Sequence, residues 1–262
     1  MLVIAFSFDF TVGVALGLCS MLFLACQNRS RGMLMQSKFE VESDLIFDLG
    51  MNNGDDVEYY LKRNYRVIAV EANPVLCEQA ADRFRIAIQS GRLSIVNVAI
   101  SNKCGSVQFY VNLENDHWSS MDLGWAGRDG SAFKEIAVDS ISLKQLFQSY
   151  GVPYYMKVDV EGADHIVIEQ LSRLKHLPYY LSVEDCRFGY EYLAALSAVG
   201  YQGFKLLDQS IVPMLADEVT GHCFKRGASG PFGEDIPGAW LSIADMEKHY
   251  AREVRDRNLV RQ

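Results

Sequence analysis

The order of apolar and amphipathic segments constrains the fold of this chain more than any other feature of its sequence. From Asp44 onward, short apolar runs alternate with segments of helical periodicity. Such alternation is typical of βαβ units, which build a parallel sheet with helices on both faces. We therefore expect an α/β fold with a doubly wound, mostly parallel Rossmann-like sheet that binds its ligands at the carboxyl ends of the strands.

The expected strands cover residues 45–49, 66–70, 93–98, 106–112, 134–138, 154–158, 180–183 and 204–207, with a last one at 222–225. The expected helices cover residues 55–63, 73–90, 142–150, 165–174 and 190–199. A further amphipathic segment at 243–262 is expected to pack on the domain as a helix or to form a homodimer contact.

The composition excludes several classes of protein. With 49% hydrophobic and 22% charged residues, the chain is not a disordered, collagenous or multi-span membrane protein. Its 25 basic and 33 acidic residues give a net charge of -8, and no broad basic stripe is present, which argues against nucleic acid as a partner. Six cysteines without a CxxC pair, and five histidines without ligand spacing, predict a reducing compartment and no bound metal.

The first 37 residues are set apart by their apolar character. Residues 10–26 form the cleanest apolar stretch, and 17 residues is the lower limit for a helix that crosses a membrane. Arginines follow this stretch, which favours a cytoplasmic location for the rest of the chain. Two interpretations stay open: membrane contact through residues 10–26 that tethers a cytoplasmic protein, or an extension upstream of a start at Met33 or Met35. In both cases residues 38–262 are expected to form one domain.

A glycine-bearing turn follows the first strand of that domain. In the sequence Asp48-Leu-Gly50-Met-Asn52-Asn-Gly54, glycines stand where a ligand can approach the backbone, and a helix with unpaired N–H groups begins directly afterwards. Glu71 ends the second strand 23 residues beyond Asp48, close to the usual offset of an acid that binds a ribose. The spacing is GxxxG rather than the GxGxxG of dinucleotide binders, so the pattern predicts a nucleoside site and disfavours an NAD-dependent oxidoreductase.

Charged residues alternate along the strand near residue 157. Lys157, Asp159 and Glu161 are spaced so that, in an extended strand, their side chains share one face. Unpaired charges inside a sheet would cost several kcal/mol per ion, so these groups must pair, face a wet cleft, or both. An internal ion pair that only fixes the register stays open, but the pattern favours an active-site crevice.

These motifs resemble known enzymes. The Asp48 loop together with Glu71 is similar to that of class I S-adenosylmethionine-dependent methyltransferases, and the segment Lys-x-Asp-x-Glu-Gly-Ala at 157–163 closely resembles the FkbM family of these enzymes. The resemblance extends over about residues 44–208 and implies a sheet of about seven strands, with S-adenosyl-L-methionine as cofactor. The residues that it implies for cofactor binding are Asp48, Gly50, Asn52 and Gly54 at the methionine end, Glu71 at the ribose, and Asn97 and Val98 at the adenine.

The chemistry implied is an in-line methyl transfer to a hydroxyl of a small molecule or of a sugar in a glycan. An alcohol must lose its proton as it attacks, so Asp159 and Glu161 are candidate bases, and Lys157 would keep one of them ionised. His117 is a second candidate base on the loop after the third strand. Two alternatives are a membrane-tethered nucleoside-binding module without turnover and, less favoured, the oxidoreductase. The glycine-rich segment 227–240 is expected to form a loop over the substrate side.

Overall fold

The fold is described from a computed structural model of the chain, in which residues 2–7, 41–185 and 187–255 are described. A seven-stranded sheet has the strand order β10-β1-β9-β8-β2-β3-β4. Five neighbouring strands, from β9 to β4, run parallel, and β1 runs antiparallel between β9 and β10. The mostly parallel α/β sheet predicted from the sequence is thereby confirmed.

The strands are β1 (Leu2–Ser7), β2 (Val41–Leu49), β3 (Arg66–Val70), β4 (Leu93–Val96), β5 (Ala99–Ile100), β6 (Gly105–Asn112), β7 (Phe133–Ile141), β8 (Val152–Val158), β9 (Tyr180–Glu184), β10 (Gly203–Asp208), β11 (Ala216–Asp217) and β12 (His222–Cys223). The helices are α1 (Asp55–Lys62), α2 (Pro74–Arg83), α3 (Arg85–Gln89), α4 (Leu123–Ala126), α5 (Leu143–Tyr150), α6 (Asp164–Leu171), α7 (Gly189–Val199) and α8 (Ile243–Tyr250).

The direction of winding reverses between β2 and β8. From β2 the chain proceeds to β3 and β4 on one side, and it later returns to place β8 and β9 on the other side. The strand interiors are fully buried; Phe47, Met156 and Leu181 have no exposed surface. Since ligands of doubly wound sheets bind where the winding reverses, the carboxyl ends of β2 and β8 mark the expected position of the site.

The N-terminal residues of the chain enter the sheet. Backbone pairing joins Leu2–Ser7 to β9 and to β10, so this segment is a strand of the main sheet. The sequence instead predicts that it belongs to an apolar segment, 1–37, that precedes the domain. An apolar run of this length satisfies a central strand as well as the start of a membrane segment, and sequence alone does not separate the two. The stretch 10–26, predicted as a membrane contact, lies outside the described residues. None of the helices that the structure describes combines the length and apolar character needed to cross a membrane.

Local sequence explains where the helices near the site begin and end. Asn73 caps α2 by accepting a hydrogen bond from the Val75 N–H, and Pro74 occupies the first helical position. The predicted helix 73–90 is divided in two, because Phe84 leaves the helical conformation and its ring lies against Gly54 at the start of α1. Helix α5 begins with a reciprocal capping box between Ser142 and Gln145, at the predicted position.

A small three-stranded sheet, in the order β5-β7-β6, stands apart from the main sheet. The sequence predicts an antiparallel or edge strand at 106–112 and another strand at 134–138, and both are confirmed as β6 and β7, which pair antiparallel with each other in this small sheet rather than joining the main one. The connection between β6 and β7 carries α4 and a short helical turn at Asp116–Trp118. We call this connection, residues 113–132, the insertion; it reaches the segment after β8, where the Ser120 hydroxyl donates to the Glu161 carbonyl oxygen.

We predict that the sheet depends on its N-terminal strand. Ile4→Pro removes a backbone N–H from a strand that is paired on both sides and should cost about 3 kcal/mol, equivalent to a fall in Tm of roughly 6–12 °C. Thermal unfolding followed by circular dichroism measures this. Ile4→Val keeps the N–H and should melt close to the parent; an unchanged Tm for Ile4→Pro would show that this strand is dispensable.

Candidate functional site

A cavity of about 850 Å³, including space open to solvent, lies at the point where the winding reverses. The loop after β2, the end of β3 and the segment after β8 form its walls, and the insertion and the C-terminal segment complete them. One end is lined by apolar side chains, among them Leu76, Val98, Ile100 and Phe109. The other end is polar and carries Asp56, Lys157, Asp159 and Glu161. The cavity has the size and the amphipathic lining of a small-molecule site.

The loop after β2 approaches the β8 side so closely that only glycine fits. Gly50 has a φ of +81°, and a Cβ atom there would lie 1.8 Å from the Asp159 carbonyl oxygen. The N–H groups of Gly50 and Met51 both donate to the Val70 carbonyl oxygen, at 2.9 and 3.1 Å, which ties the loop to the end of β3. Asn52 continues the loop in the left-handed conformation and lines the cavity.

Asp48 and Lys157 form a buried ion pair below the cavity. They are direct register partners on β2 and β8, and the Lys157 Nζ lies 3.0 Å from the Asp48 carboxylate and 2.9 Å from the Gly50 carbonyl oxygen. Asp56 and Asp159 lie 3.5 and 3.6 Å from the same Nζ. Asp48 has no exposed surface and is absent from the cavity wall; its side chain contacts Lys157, and the cofactor contact implied by the sequence stays a prediction.

The charges in this cluster influence one another strongly. Burial raises the pKa of Asp48 to about 7, although the Lys157 ammonium opposes the shift, and burial also raises the pKa of Asp56. For Lys157, burial favours the neutral amine, but the negative charges of Asp48, Asp159 and Asp56 outweigh it and raise the pKa of the ammonium well above its usual value. Lys157 therefore remains a cation within an acid-rich group.

Glu71 stands at the cavity wall with both carboxylate oxygens engaged by backbone. One oxygen accepts from the Asn52 N–H at 2.9 Å and the other from the Asn73 N–H at 2.8 Å. Burial raises the pKa of this carboxyl group, while the two N–H donors oppose the shift. Each oxygen retains further acceptor capacity, so the fixed carboxylate can also bind ligand hydroxyl groups.

The segment after β8 is not the continuous strand that alternation predicts. The strand ends at Val158, and Glu161 adopts the left-handed conformation with a φ of +50°. Glu161 still reaches the same cavity as Lys157 and Asp159, but a turn rather than strand alternation brings it there. Asp164 fixes this turn by accepting hydrogen bonds from the Val160 and Gly162 N–H groups, at 2.8 and 3.2 Å.

The insertion supplies the partners of Glu161. The Trp125 indole N–H donates to its carboxyl group at 2.8 Å, and the Ser120 hydroxyl donates to its carbonyl oxygen at 2.6 Å. The Arg128 guanidinium lies 4.0 Å from the same carboxyl group and packs against the Trp125 ring. Burial, with a further contribution from the Asp159 charge, raises the pKa of Glu161 to about 8. Nothing in residue spacing signals these partners, because they come from an irregular connection.

Ligand atoms of three carboxylates, Asp159, Glu161 and Glu184, lie within 4.8 Å of one another. Such a group could hold a metal ion, whereas the sequence predicted no metal site from its scattered histidines. Glu184 ends β9, so it reaches this group from the next strand of the sheet. The adjacent Asp185 instead accepts a hydrogen bond from the Tyr250 hydroxyl.

The remaining predicted site residues divide into two groups. His117, with 46% of its side chain exposed, lines the cavity from the Asp116–Trp118 turn, and Val98 lines the apolar end. Asn97 is absent from the wall; its side-chain amide donates to the Glu71 and Ala72 carbonyl oxygens and fixes the backbone after β3. Gly54 is also absent from the wall and makes room for the Phe84 ring.

The C-terminal segment contributes a wall that the motifs do not identify. Arg226, Gly227 and Ala228 line the cavity, so only the first two residues of the segment 227–240, predicted as a loop over the substrate side, belong to this wall. Asp56 holds the segment there, because both of its carboxylate oxygens accept from the Ser229 N–H, at 3.0 and 3.2 Å. An acid in the first turn of a helix is common for reasons of helix polarity, so the sequence does not distinguish Asp56.

Comparison with known proteins gives one match. A family model described as the methyltransferase FkbM domain matches residues 48–206, more than half of the chain. No curated protein and no solved structure matches the chain. The matched region begins within β2 and ends within β10, so it contains Glu71, Lys157, Asp159 and Glu161.

We predict that the close approach at Gly50 is indispensable. Gly50→Ala should destabilise the protein by at least about 2 kcal/mol more than Gly91→Ala, as measured by urea unfolding. Gly91 is the matched control, since its φ of +72° imposes the same backbone strain while a Cβ atom there meets nothing within 4 Å. Equal losses of unfolding free energy in the two variants would contradict the close approach.

A second prediction concerns pH and stability. Because the pKa of Glu161 is about 8 in the folded protein and 4.5 for the ordinary side chain, the folded state holds a proton that the unfolded chain releases. As the pH rises from about 4.5 to about 8, the unfolding free energy therefore falls, because ionisation of Glu161 is less favourable in the folded protein than in the unfolded chain. Glu161→Gln should melt above the parent near pH 9 and lose that advantage toward pH 4. Exposed Glu169 provides the control; a similar gain for Glu169→Gln would remove the case for a buried carboxyl effect.

Proposed function

The chain belongs to the FkbM methyltransferase family, and on this premise we propose that it transfers a methyl group from S-adenosyl-L-methionine to a hydroxyl group of a small molecule or sugar. The observation that carries the proposal is the arrangement of Glu71 and Asp159 along one amphipathic cavity. When bound, the cofactor supplies an electrophilic methyl carbon on a sulfonium ion. The rest of the chemistry belongs to the side chains of this chain.

The lining of the cavity fits such a donor from end to end. The apolar wall that includes Val98, Ile100 and Phe109 suits a purine, and Glu71 suits the hydroxyl groups of a ribose. The acid-rich end suits a cation, since an opposite charge is favoured beside clustered carboxylates. Asp159 supports this fit, because its Oδ1 is buried and accepts no hydrogen bond from any residue that the structure describes.

Asp159 is the base that we propose. It accepts, at Oδ1, the proton that the acceptor hydroxyl loses as its oxygen bonds to the methyl carbon and the carbon–sulfur bond breaks, with the electron pair retained by sulfur. Lys157 is a positioning residue, because its Nζ is engaged by Asp48 and the Gly50 carbonyl oxygen and lies 3.6 Å from the Asp159 carboxylate. Its ammonium holds the ends of β2 and β8 at a fixed separation.

The other candidate groups have different roles in the proposal. Glu161, with a pKa of about 8, carries a proton at neutral pH and serves as a hydrogen-bond donor rather than as the base. His117 lies on the rim and is the second group that could receive the proton. The insertion and the residues Gly227 and Ala228 form walls beside the reacting atoms.

Binding of the cofactor product tests the donor half of the proposal. Isothermal calorimetry with S-adenosylhomocysteine on the full chain should detect binding at sub-millimolar concentration, and its absence would overturn the proposal. Glu71→Gln should weaken binding about tenfold or more, because a charged acceptor is lost. Glu78→Gln, at an exposed position on α2, should leave the Kd unchanged.

For transfer of a labelled methyl group, Asp159→Asn should reduce kcat about 10²-fold or more while retaining S-adenosylhomocysteine binding.

A further inference from the structure

A second cavity adjoins the first on the other half of the sheet. It has about 1540 Å³ of empty space, including space open to solvent, and it shares five lining residues with the first cavity: His117, Asp159, Glu161, Arg226 and Gly227. Its other lining residues include Glu184 at the end of β9 and Gln209, directly after β10. The two cavities therefore meet at the base proposed above and extend in opposite directions along the carboxyl edge of the sheet.

The two walls differ in chemistry. By residue type the lining of the second cavity is mainly polar, and Trp118 and Pro213 provide its only apolar side chains among the described residues, but carbon atoms, including those of the long polar side chains, make up most of its exposed surface. Carboxyl, guanidinium, amide and hydroxyl groups line the rest of it. An apolar acceptor would bury these polar groups without replacing their hydrogen bonds with water, which costs about 1–3 kcal/mol for each group. A polyhydroxylated acceptor can both contact the carbon surface and satisfy these polar groups.

Two buried oxygen atoms of the residues lining the second cavity lack hydrogen-bond donors among the described residues. Asp159 Oδ1 and Gln209 Oε1 both have almost no exposed surface, and within the described part of the chain neither accepts a hydrogen bond. Buried acceptors are satisfied in nearly all proteins, so this pair calls for donors from a ligand or from water. A hydroxyl group is a donor and an acceptor at once, and it can therefore satisfy such an oxygen and a neighbouring guanidinium or amide N–H together.

The position of Gln209 follows from the local sequence. Strand β10 ends at Asp208, whose side chain accepts from the Ser210 N–H at 2.9 Å and starts the helical turn Gln209–Met214. Gln209 is thus held at the carboxyl edge of the sheet, on the side of the second cavity away from β2. A ligand that satisfies both Gln209 and Asp159 must carry hydroxyl groups at two separate places.

We propose that the second cavity binds the methyl acceptor, that the acceptor is a polyhydroxylated molecule of the sugar or cyclic polyol class, and that Gln209 determines this specificity. The inference rests on the proposed function and adds to it the acceptor class. Asp159 receives the proton of the reacting hydroxyl, and Gln209 accepts a hydrogen bond from a second hydroxyl of the same molecule. Gln209 contacts substrate away from the reacting atoms, so it contributes to binding.

Methyl transfer onto a defined set of alcohols tests the inference. Methyl hexopyranosides and myo-inositol are compared with catechol and 1-octanol, using the full chain and labelled S-adenosylmethionine. We expect turnover of at least one polyol with a higher kcat/KM than either apolar alcohol. For that polyol, Gln209→Met should raise KM about tenfold or more with little change in kcat, because the hydrogen bond is lost at similar side-chain length. Gln209→Glu keeps an acceptor oxygen and should recover most of the affinity.

Controls separate this inference from the proposed function. Gln202→Met, at an exposed position before β10, should leave every parameter unchanged. All variants should bind S-adenosylhomocysteine with the Kd of the parent, since Gln209 is absent from the wall of the first cavity. Catechol or 1-octanol as the better substrate, or no methylated polyol from protein that binds S-adenosylhomocysteine, would overturn the acceptor class. Failure to bind S-adenosylhomocysteine would instead contradict the proposed function.

Discussion

The buried contact between Lys157 and Asp48 is the interaction on which the rest of the site depends. It joins register partners on adjacent strands, β2 and β8, at the edge where the winding of the sheet reverses. A buried ion pair rarely adds stability relative to apolar side chains, but removing one partner leaves an uncompensated charge and costs several kcal/mol. The pair therefore fixes one arrangement of the strand ends. That arrangement brings Gly50 against the Asp159 carbonyl oxygen and sets both cavity walls.

The parts of the fold that the sequence predicts are those with a local physical signal. Periodicity predicts the parallel strands, and capping chemistry predicts the start of α5 at Ser142. The N-terminal strand β1 is not predicted, because an apolar run does not indicate whether it lies in a sheet or in a membrane. The break between α2 and α3 at Phe84 is not predicted either, because the Phe84 ring packs against Gly54, which is far away in sequence.

The candidate site follows the same division. Acids at the ends of strands are visible in the sequence, and Glu71 and Asp159 do line one cavity. Asp48 is also an acid at the end of a strand, but it faces Lys157. Its position depends on the register of β2 with β8, which cannot be predicted from any motif in the sequence. Glu161 reaches the cavity through a left-handed turn where we expected strand alternation. Sequence thus predicts the chemical groups of the site better than it predicts which group faces a ligand and which supports it.

The two cavities also differ in how they relate to the family. The residues proposed for the donor come from loops within 48–206, the region that the family model matches, apart from the wall at Arg226–Ala228. Gln209, Ser210, Pro213 and Arg226 of the second cavity lie beyond that region. Membership in the family therefore supports the cofactor more directly than the acceptor. The turn after β10 is held by the local hydrogen bond from the Ser210 N–H to Asp208, so it can change without disturbing the Lys157–Asp48 contact. The C-terminal segment is instead tied to Asp56, which lies 3.5 Å from the Lys157 Nζ, and so it is coupled to that contact. In the proposal, the acceptor site therefore combines residues of the matched domain with residues that follow it in the chain.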